Sequence, residues 1–180
     1  MASNLITTKE LYNVRVMGGK NTTKRIGKVR AFVYHPKERR CIGIMVKRPD
    51  LLWMFHRKDL FVSLDGFEFE DGRVVLSDDS KTRDKAACKA IDVRLDDCVI
   101  WGGMPVITES GATLGTVGVV TFSLVTGKVE SFLVDTGATA NALLGTSQAI
   151  SCWDFGAASD APSRVNTRGR TRTPSSVPFW

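Results

Sequence analysis

The feature that most constrains the fold is an apolar pattern that occurs twice, 88 residues apart. Residues 26–47 read IGKVRAFVYHPKERRCIGIMVK, and residues 114–135 read LGTVGVVTFSLVTGKVESFLVD. Aligned without a gap, nine of the 22 positions are apolar in both segments and three are identical, against about four shared apolar positions expected from an apolar fraction of 43%. The recurrence predicts two units with the same arrangement of strands.

Each segment is typical of a β-hairpin. The first arm is rich in β-branched and aromatic residues, a proline or glycine lies in the turn, and the return arm contains residues 44–46 or 132–134. A strand ending in a glycine-containing turn precedes each hairpin. Asp-Gly dipeptides at 65–66 and 71–72 indicate further turns after the first hairpin. The first unit is therefore predicted to contain five or six short strands.

The predicted fold class is all-β, with two small β-barrels joined by a short helical connector and followed by a disordered tail. The first unit covers residues 8–76, the connector 77–97, the second unit 98–155 and the tail 156–180. Asp79 or Ser80 is the expected N-cap of the connector helix. The 88-residue offset predicts a further strand near Ala149, within AISCWDF. The second unit otherwise contains fewer strand patterns than the first.

The glycine-punctuated strands resemble the PRC-barrel, a small β-barrel found in the photosynthetic reaction-centre H subunit and in a bacterial ribosome-maturation factor. The resemblance implies a non-enzymatic docking or assembly module beside protein, ribonucleoprotein or membrane complexes, and it assigns no functional residue here. Neither the membrane anchor of the first of these proteins nor the extra N-terminal barrel of the second is expected in this sequence. The residues that carry the resemblance are Val16, Ile26, Gly27, Val29 and 44–46 in the first unit, and 104–106, Gly111, Leu114, Gly115, Val117, Gly127 and 132–134 in the second.

A second motif suggests a different function. The stretch FLVDTGATANALLG, residues 132–145, resembles the catalytic string of retroviral-type aspartic peptidases, with Asp135 as the acid. Such enzymes use two carboxylates and need a flap and a second apolar strand after the motif, and only 43 residues follow Gly137. The offset places Asp135 opposite Lys47, where a return strand ends. We therefore predict a strand end without catalytic residues, and keep the peptidase as the alternative function.

Charge gives the strongest functional indication. Residues 1–60 contain 14 Lys and Arg against 4 Asp and Glu, a net charge of +10, while the whole chain has +6. Such a surface suits a protein complex with an acidic partner, RNA or the ribosome, although a solvated surface is the simpler interpretation. Nearby aromatic residues alternate as core residues would. The predicted contact residues are Lys24, Arg25, Lys28, Arg30, Lys37, Arg39 and Arg40.

Other patterns predict no cofactor and no metal site. The four cysteines, Cys41, Cys88, Cys98 and Cys152, form no C-x-x-C pair, and His35 and His56 have no obvious partners. MGGKNTTKR lacks the spacing of a phosphate-binding loop and is interpreted as a turn.

The lengths and positions of the apolar runs predict the cellular location and whether a segment spans a membrane. The first residues have no apolar signal region and no run is long enough to span a membrane, so a cytoplasmic protein with reduced thiols is expected. The apolar run LLWMF at 51–55 is expected to be buried against the second unit, with an exposed docking loop as the alternative.

Overall fold

The structure is a computed structural model that describes residues 4–19, 24–50, 57–107, 111, 113–137 and 149–151, the last three as backbone. Within these ranges the chain is mostly β, with two short helices and three single 3-10 turns. The elements are β1 Leu5–Thr7, α1 Thr8–Leu11, β2 Arg15–Gly18, β3 Arg25–Tyr34, β4 Cys41–Lys47, β5 Leu60–Ser63, β6 Phe67–Glu70, β7 Arg73–Leu76, α2 Asp84–Ala90, β8 Pro105–Ile107, β9 Thr113–Ser123, β10 Val129–Asp135 and β11 Ala149–Ser151.

The described residues form two curled sheets. The first has the order β5-β4-β3-β2-β7-β6, in which β2 and β7 are parallel and the other neighbours antiparallel. In the second, β9 pairs with β10 on one side and with both β1 and β8 on the other, and β11 lies beyond β10. The Asp-Gly turn at 71–72 joins β6 to β7, with φ angles of 50° and 68° that suit a tight hairpin. This sheet has six strands, which agrees with the five or six strands predicted for the first part of the chain.

The strand meanders β2-β3-β4-β5 and β8-β9-β10-β11 have the same register. Both long hairpins contain two irregularities, and each falls at the same place in the two copies. The strand predicted near Ala149 is confirmed, because it pairs with β10 as β5 pairs with β4. In the first meander the matched partners are Val29 with Val46, Phe32 with Ile44, Tyr34 with Cys41 and Ile44 with Val62; 88 residues later they are Val117 with Val134, Val120 with Phe132, Phe122 with Val129 and Phe132 with Ile150.

Gly27 and Gly115 occupy matching environments. A Cβ atom on Gly27 would overlap the carbonyl oxygen of Lys47, and one on Gly115 would overlap that of Asp135. Gly115 also has a φ angle of +147°, which L side chains rarely adopt. At both positions the missing side chain lets the edge of one strand approach the end of the return strand.

The two halves exchange their leading segments. Strand β1 pairs with β9 of the other half, where Ile6 lies opposite Phe122. Conversely, Val99, which precedes β8, exchanges two hydrogen bonds with Tyr34 at the end of β3, at 2.7 and 3.0 Å. Each half therefore pairs its backbone with the other, through strand β1 in one direction and a single bridge at Val99 in the other, a relation that the apolar pattern did not predict.

One core connects the sheets. Phe32, Tyr34 and Ile44 of the first sheet belong to the same buried cluster as Phe122 and Phe132 of the second. The inward faces of both sheets meet in this cluster, while β4 and β5 are buried on both faces. A smaller cluster lies between β4, β5 and helix α2. The all-β class with a small helical part is confirmed.

The connector contains the predicted helix, but the residue at its N-cap is Arg83 and not the expected Asp79 or Ser80. Asp79 caps a 3-10 turn by accepting a hydrogen bond from Lys81 N–H, and α2 follows at Asp84–Ala90. Helix α2 packs against β5, whose Phe61 N–H donates to Asp84 Oδ1 at 3.1 Å. The interpretations of 51–55, of the turn at 20–23, of residues 152–155 and of the tail at 156–180 lie outside the described residues, and the division into units remains a prediction.

Candidate anion-binding groove

A groove with a volume of about 480 Å³ lies at the β3 and β4 ends that face away from their connecting turn. Asp50 contributes a carboxylate to its wall, and Tyr12 and Asn13 form part of one side. Together with Arg15, described next, this surface is called the basic groove. The cations in its lining are Arg25, Lys28, Arg30, Lys47 and Arg48.

Three of the cations form a row across neighbouring strands. Arg15 on β2 lies opposite Lys28 on β3, and Lys28 lies opposite Lys47 on β4. Residues in register share one face of the sheet, here the outer one, and strands are about 4.8 Å apart. Like charges placed directly opposite each other destabilise a sheet. Among the ion pairs of the described residues, none involves any of the three.

Two further arginines fix the wall of the basic groove. Arg48 donates from Nε and Nη2 to the carbonyl oxygen of Lys58, at 2.9 and 2.6 Å, which orients its guanidinium without neutralising it. Arg30 Nη1 forms an ion pair with Asp59 Oδ2 at 2.9 Å. The Arg30 side chain is 61% exposed, so this pair contributes little stability. Among the cations of the groove, Arg30 is therefore the one that a carboxylate of the described residues neutralises, while the row, Arg25 and Arg48 form no such ion pair there.

Tyr12 brings an exposed aromatic ring to the same surface. The residue is 62% exposed, whereas its neighbour Leu11 is fully buried. Its N–H donates to Thr8 O at 2.8 Å, and the next N–H, of Asn13, donates to Val29 O at 2.9 Å. The backbone on both sides of the ring is thus held in place. Asn13 adopts a left-handed φ of 63°, a conformation that asparagine tolerates.

A second, apolar cavity adjoins the basic groove. It has a volume of about 400 Å³, and Tyr12 and Arg30 line both spaces. Phe32, Ile100 and Val119 provide apolar walls. Tyr12 and Arg30 therefore form the border between a cationic surface on one side and an apolar surface on the other.

The structure divides the seven predicted contact residues. Arg25, Lys28 and Arg30 line the basic groove, and Lys24 is exposed just before β3. Strand β3 has ten residues and spans roughly 30 Å, so the β3–β4 turn lies at the opposite end. The residues on that turn are Lys37, Arg39 and Arg40, where Arg40 Nε pairs with Glu38 Oε2 at 3.2 Å.

The seven predicted contact residues do not include Arg15, Lys47, Arg48 or Tyr12, although Lys47 and Arg48 belong to the same basic stretch of the sequence. The hairpin pattern contained a signal for one of them, since pairing residues 26–47 about the turn places Lys47 opposite Lys28. Arg15 and Tyr12 required knowledge of how β2 and α1 lie beside β3.

The matching position in the second half has different chemistry. Its row consists of Pro105, Thr116 and Asp135, and Gly102 is exposed on the segment that corresponds to the one carrying Tyr12. The corner itself is the same, because Gly103 N–H donates to Val117 O at 2.7 Å as Asn13 N–H does to Val29 O. The cations and the aromatic ring are therefore particular to the first half.

Asp135 lies where β10 ends. It is exposed, pairs in register with Thr116, and its Oδ1 accepts a hydrogen bond from Gly137 N–H at 2.9 Å. This bond to the residue two positions later is typical of an Asx turn.

The remaining titratable candidates are placed as follows. His35 Nδ1 accepts hydrogen bonds from Lys37 and Glu38 N–H, which shapes the β3–β4 turn. Cys41, Cys88 and Cys98 are buried free thiols, and burial raises the pKa of Cys41 to about 12. His56 and Cys152 lie outside the described residues. Within the described ranges, no three His, Cys, Asp or Glu side chains come together as a metal site would need, and no helix is long and apolar enough to cross a membrane.

Comparison with known proteins adds no assignment. No protein-family model matches the chain, and no curated protein matches it either. The likeness to the PRC-barrel family therefore stays a prediction based on the strand and glycine pattern.

Proposed function

We propose that the protein is a non-enzymatic binding or assembly module, built from two PRC-barrel-like units, that docks an acidic protein partner or a ribonucleoprotein complex. The matched register of the two meanders and the matched surroundings of Gly27 and Gly115 support a tandem repeat. In this view, the exchanged leading segments make the pair of units a rigid platform. The free thiols of the buried cysteines suit a cytoplasmic setting.

The observation that carries the docking proposal is the row of Arg15, Lys28 and Lys47. Three like charges in register oppose one another, and within the described residues no carboxylate pairs with them. An anionic partner would relieve this repulsion, so the row is stabilised by binding.

Chromatography on an immobilised polyanion tests the proposal. The double variant Lys28→Gln/Lys47→Gln is expected to elute from heparin at clearly lower salt than the unmodified protein, because phosphate or sulfate attraction scales with the cations engaged. The matched control is Lys85→Gln/Lys89→Gln, which removes the same charge from exposed positions on α2. Equal elution of the two double variants would refute a role for the groove. A native pull-down with and without ribonuclease then separates protein from ribonucleoprotein partners.

The aspartic peptidase remains the alternative hypothesis. It requires Asp135 carboxylates from two copies to share a proton. Peptide cleavage by concentrated protein that disappears in Asp135→Asn would establish it and refute the non-enzymatic proposal. Asp97→Asn, at an exposed aspartate on a 3-10 turn, is the matched control.

A further inference from the structure

We propose that the ligand of the basic groove is a single-stranded nucleic acid, with its phosphates on the row of Arg15, Lys28 and Lys47 and a base stacked on Tyr12. The inference rests on the proposed function, because it takes an acidic partner at this groove as given and names its chemistry. It differs from that function in assigning a role to the aromatic ring and to the apolar cavity.

The exposed ring is the first reason. An acidic protein surface needs only cations, whereas a nucleic acid also presents flat, weakly polar bases that stack on aromatic side chains. Tyr12 is 62% exposed beside five cations, and its backbone is held by hydrogen bonds on both sides. A tyrosine has only two side-chain torsions, so with its backbone already held the residue loses little freedom when a base covers the ring.

The adjoining cavity is the second reason. Tyr12 and Arg30 border both the cationic groove and the apolar cavity of about 400 Å³. A base that stacks on Tyr12 therefore lies at the mouth of an apolar space lined by Phe32 and Ile100. The sugar–phosphate chain then continues along the cationic side, so one nucleotide contacts both kinds of surface.

The geometry of the row favours a single strand over a duplex. Three cations on adjacent strands, about 4.8 Å apart, make a narrow positive strip across the sheet. A sugar–phosphate backbone can lie along such a strip, whereas the base that covers Tyr12 must be unpaired. The outer face of the second half has the same backbone arrangement. It carries Thr116, Asp135 and Gly102 at the matching positions, so it has neither these cations for the phosphates nor this ring for a base.

Fluorescence anisotropy with the full chain tests the inference. The probes are a labelled, unstructured ten-nucleotide RNA, a DNA of the same sequence, and a hairpin duplex of equal charge. Binding of a single strand with a log-affinity against log-salt slope of about −2 is expected, since three phosphates each contribute about −0.7. Lys28→Gln/Lys47→Gln should bring the slope towards about −0.7, and Lys85→Gln/Lys89→Gln should leave it unchanged.

Variants of Tyr12 distinguish base stacking from attraction by charge alone. Tyr12→Ala should weaken binding of the single strand by roughly fivefold or more with the slope unchanged, because stacking carries no counterions. Tyr12→Phe keeps the aromatic face and should bind like the unmodified protein. The residue is largely exposed, so circular dichroism should show that both variants fold.

Unchanged affinity in Tyr12→Ala would overturn the inference and leave the proposed function intact, and so would polyglutamate that competes as well as unlabelled RNA of equal charge. Duplex binding as tight as single-strand binding would overturn it as well. If Lys28→Gln/Lys47→Gln binds every polyanion as the unmodified protein does, the proposed function of the groove fails together with it. Tyr12-dependent binding of either the RNA or the DNA strand supports it.

Discussion

Arg40 and Lys128 lie opposite each other in an antiparallel bridge, and they are 88 residues apart in the chain. On either side of them, Cys41 N–H donates to Gly127 O at 2.8 Å and Val129 N–H donates to Arg39 O at 3.0 Å. The two bonds are equivalent, because Cys41 and Val129 are 88 residues apart and so are Arg39 and Gly127. An approximate twofold axis therefore passes between the two hairpin turns, and residues at matching positions meet there.

The matched glycines give the first prediction. Gly27→Ala and Gly115→Ala should each lower the free energy of unfolding by about 1–3 kcal/mol, because the added Cβ meets a backbone oxygen that cannot move aside easily. Gly102→Ala is the control, since nothing lies within 4 Å of its Cβ position, and it should stay within about 0.5 kcal/mol. Urea denaturation measures all three. Tolerance of alanine at Gly27 or Gly115 would contradict the close approach.

The ring stack between the halves gives the second prediction. Trp101 lies parallel to Tyr34, with centroids 4.4 Å apart, and both side chains are buried. Trp101→Ala should cost about 3–5 kcal/mol and weaken both sheets together, because the core is continuous. Hydrogen exchange of amides in β4 and β10 measures this. Loss of protection in β10 alone would show that the halves unfold independently.

The exchanged segment at the start of the chain gives the third prediction. Thr8 is nearly buried, and its Oγ1 accepts a hydrogen bond from Val120 N–H at 3.0 Å. Thr8→Val keeps the shape but leaves that N–H without its partner, at a cost of about 1–3 kcal/mol. Thr8→Ser, which keeps the hydroxyl, should cost less. Thermal denaturation compares the two, and equal losses would mean that the bond contributes no stability.

Cys41 gives a prediction on pH dependence. Desolvation raises its thiol pKa from 9.0 to about 12 in the folded protein. Below pH 9 the folded and unfolded chains both keep this proton, so the thiol adds no pH dependence there. Between about pH 9 and 12 only the unfolded chain releases it, and stability should fall by up to about 1.4 kcal/mol per pH unit.

The comparison with Cys41→Ala isolates this contribution from the other titrating groups. The difference in unfolding free energy between the two proteins should shrink as the pH rises from 9 to 11, measured by urea denaturation at each pH. A constant difference would mean that the thiol titrates normally in the folded state. At pH 8 the native protein should also leave Cys41 unmodified by an alkylating reagent, because the thiolate is the reactive form.

Sequence alone determined the strands of the two long hairpins, the pairing of their arms and the 88-residue correspondence. These features are local: alternation of apolar side chains and turn residues fixes which arm pairs with which, and a repeated pattern repeats the register. For the same reason the fourth strand near Ala149 was predictable from Leu60–Ser63. The end-of-strand position of Asp135 followed from Lys47 in the same way.

Only the tertiary structure decided how the halves interlock and which cations come together. The pairing of β1 with β9 joins segments about 116 residues apart, and that of Val99 with Tyr34 joins residues 65 apart, and no local pattern encodes such contacts. The basic groove needs β2, β3 and β4 side by side, with α1 holding Tyr12 at their margin. The distribution of charge along the chain showed that the first third is basic. Cations at the two ends of the long strand β3 nevertheless lie far apart, whereas sheet pairing brings together cations that are distant in sequence. The site therefore follows from strand packing, which depends on the whole core.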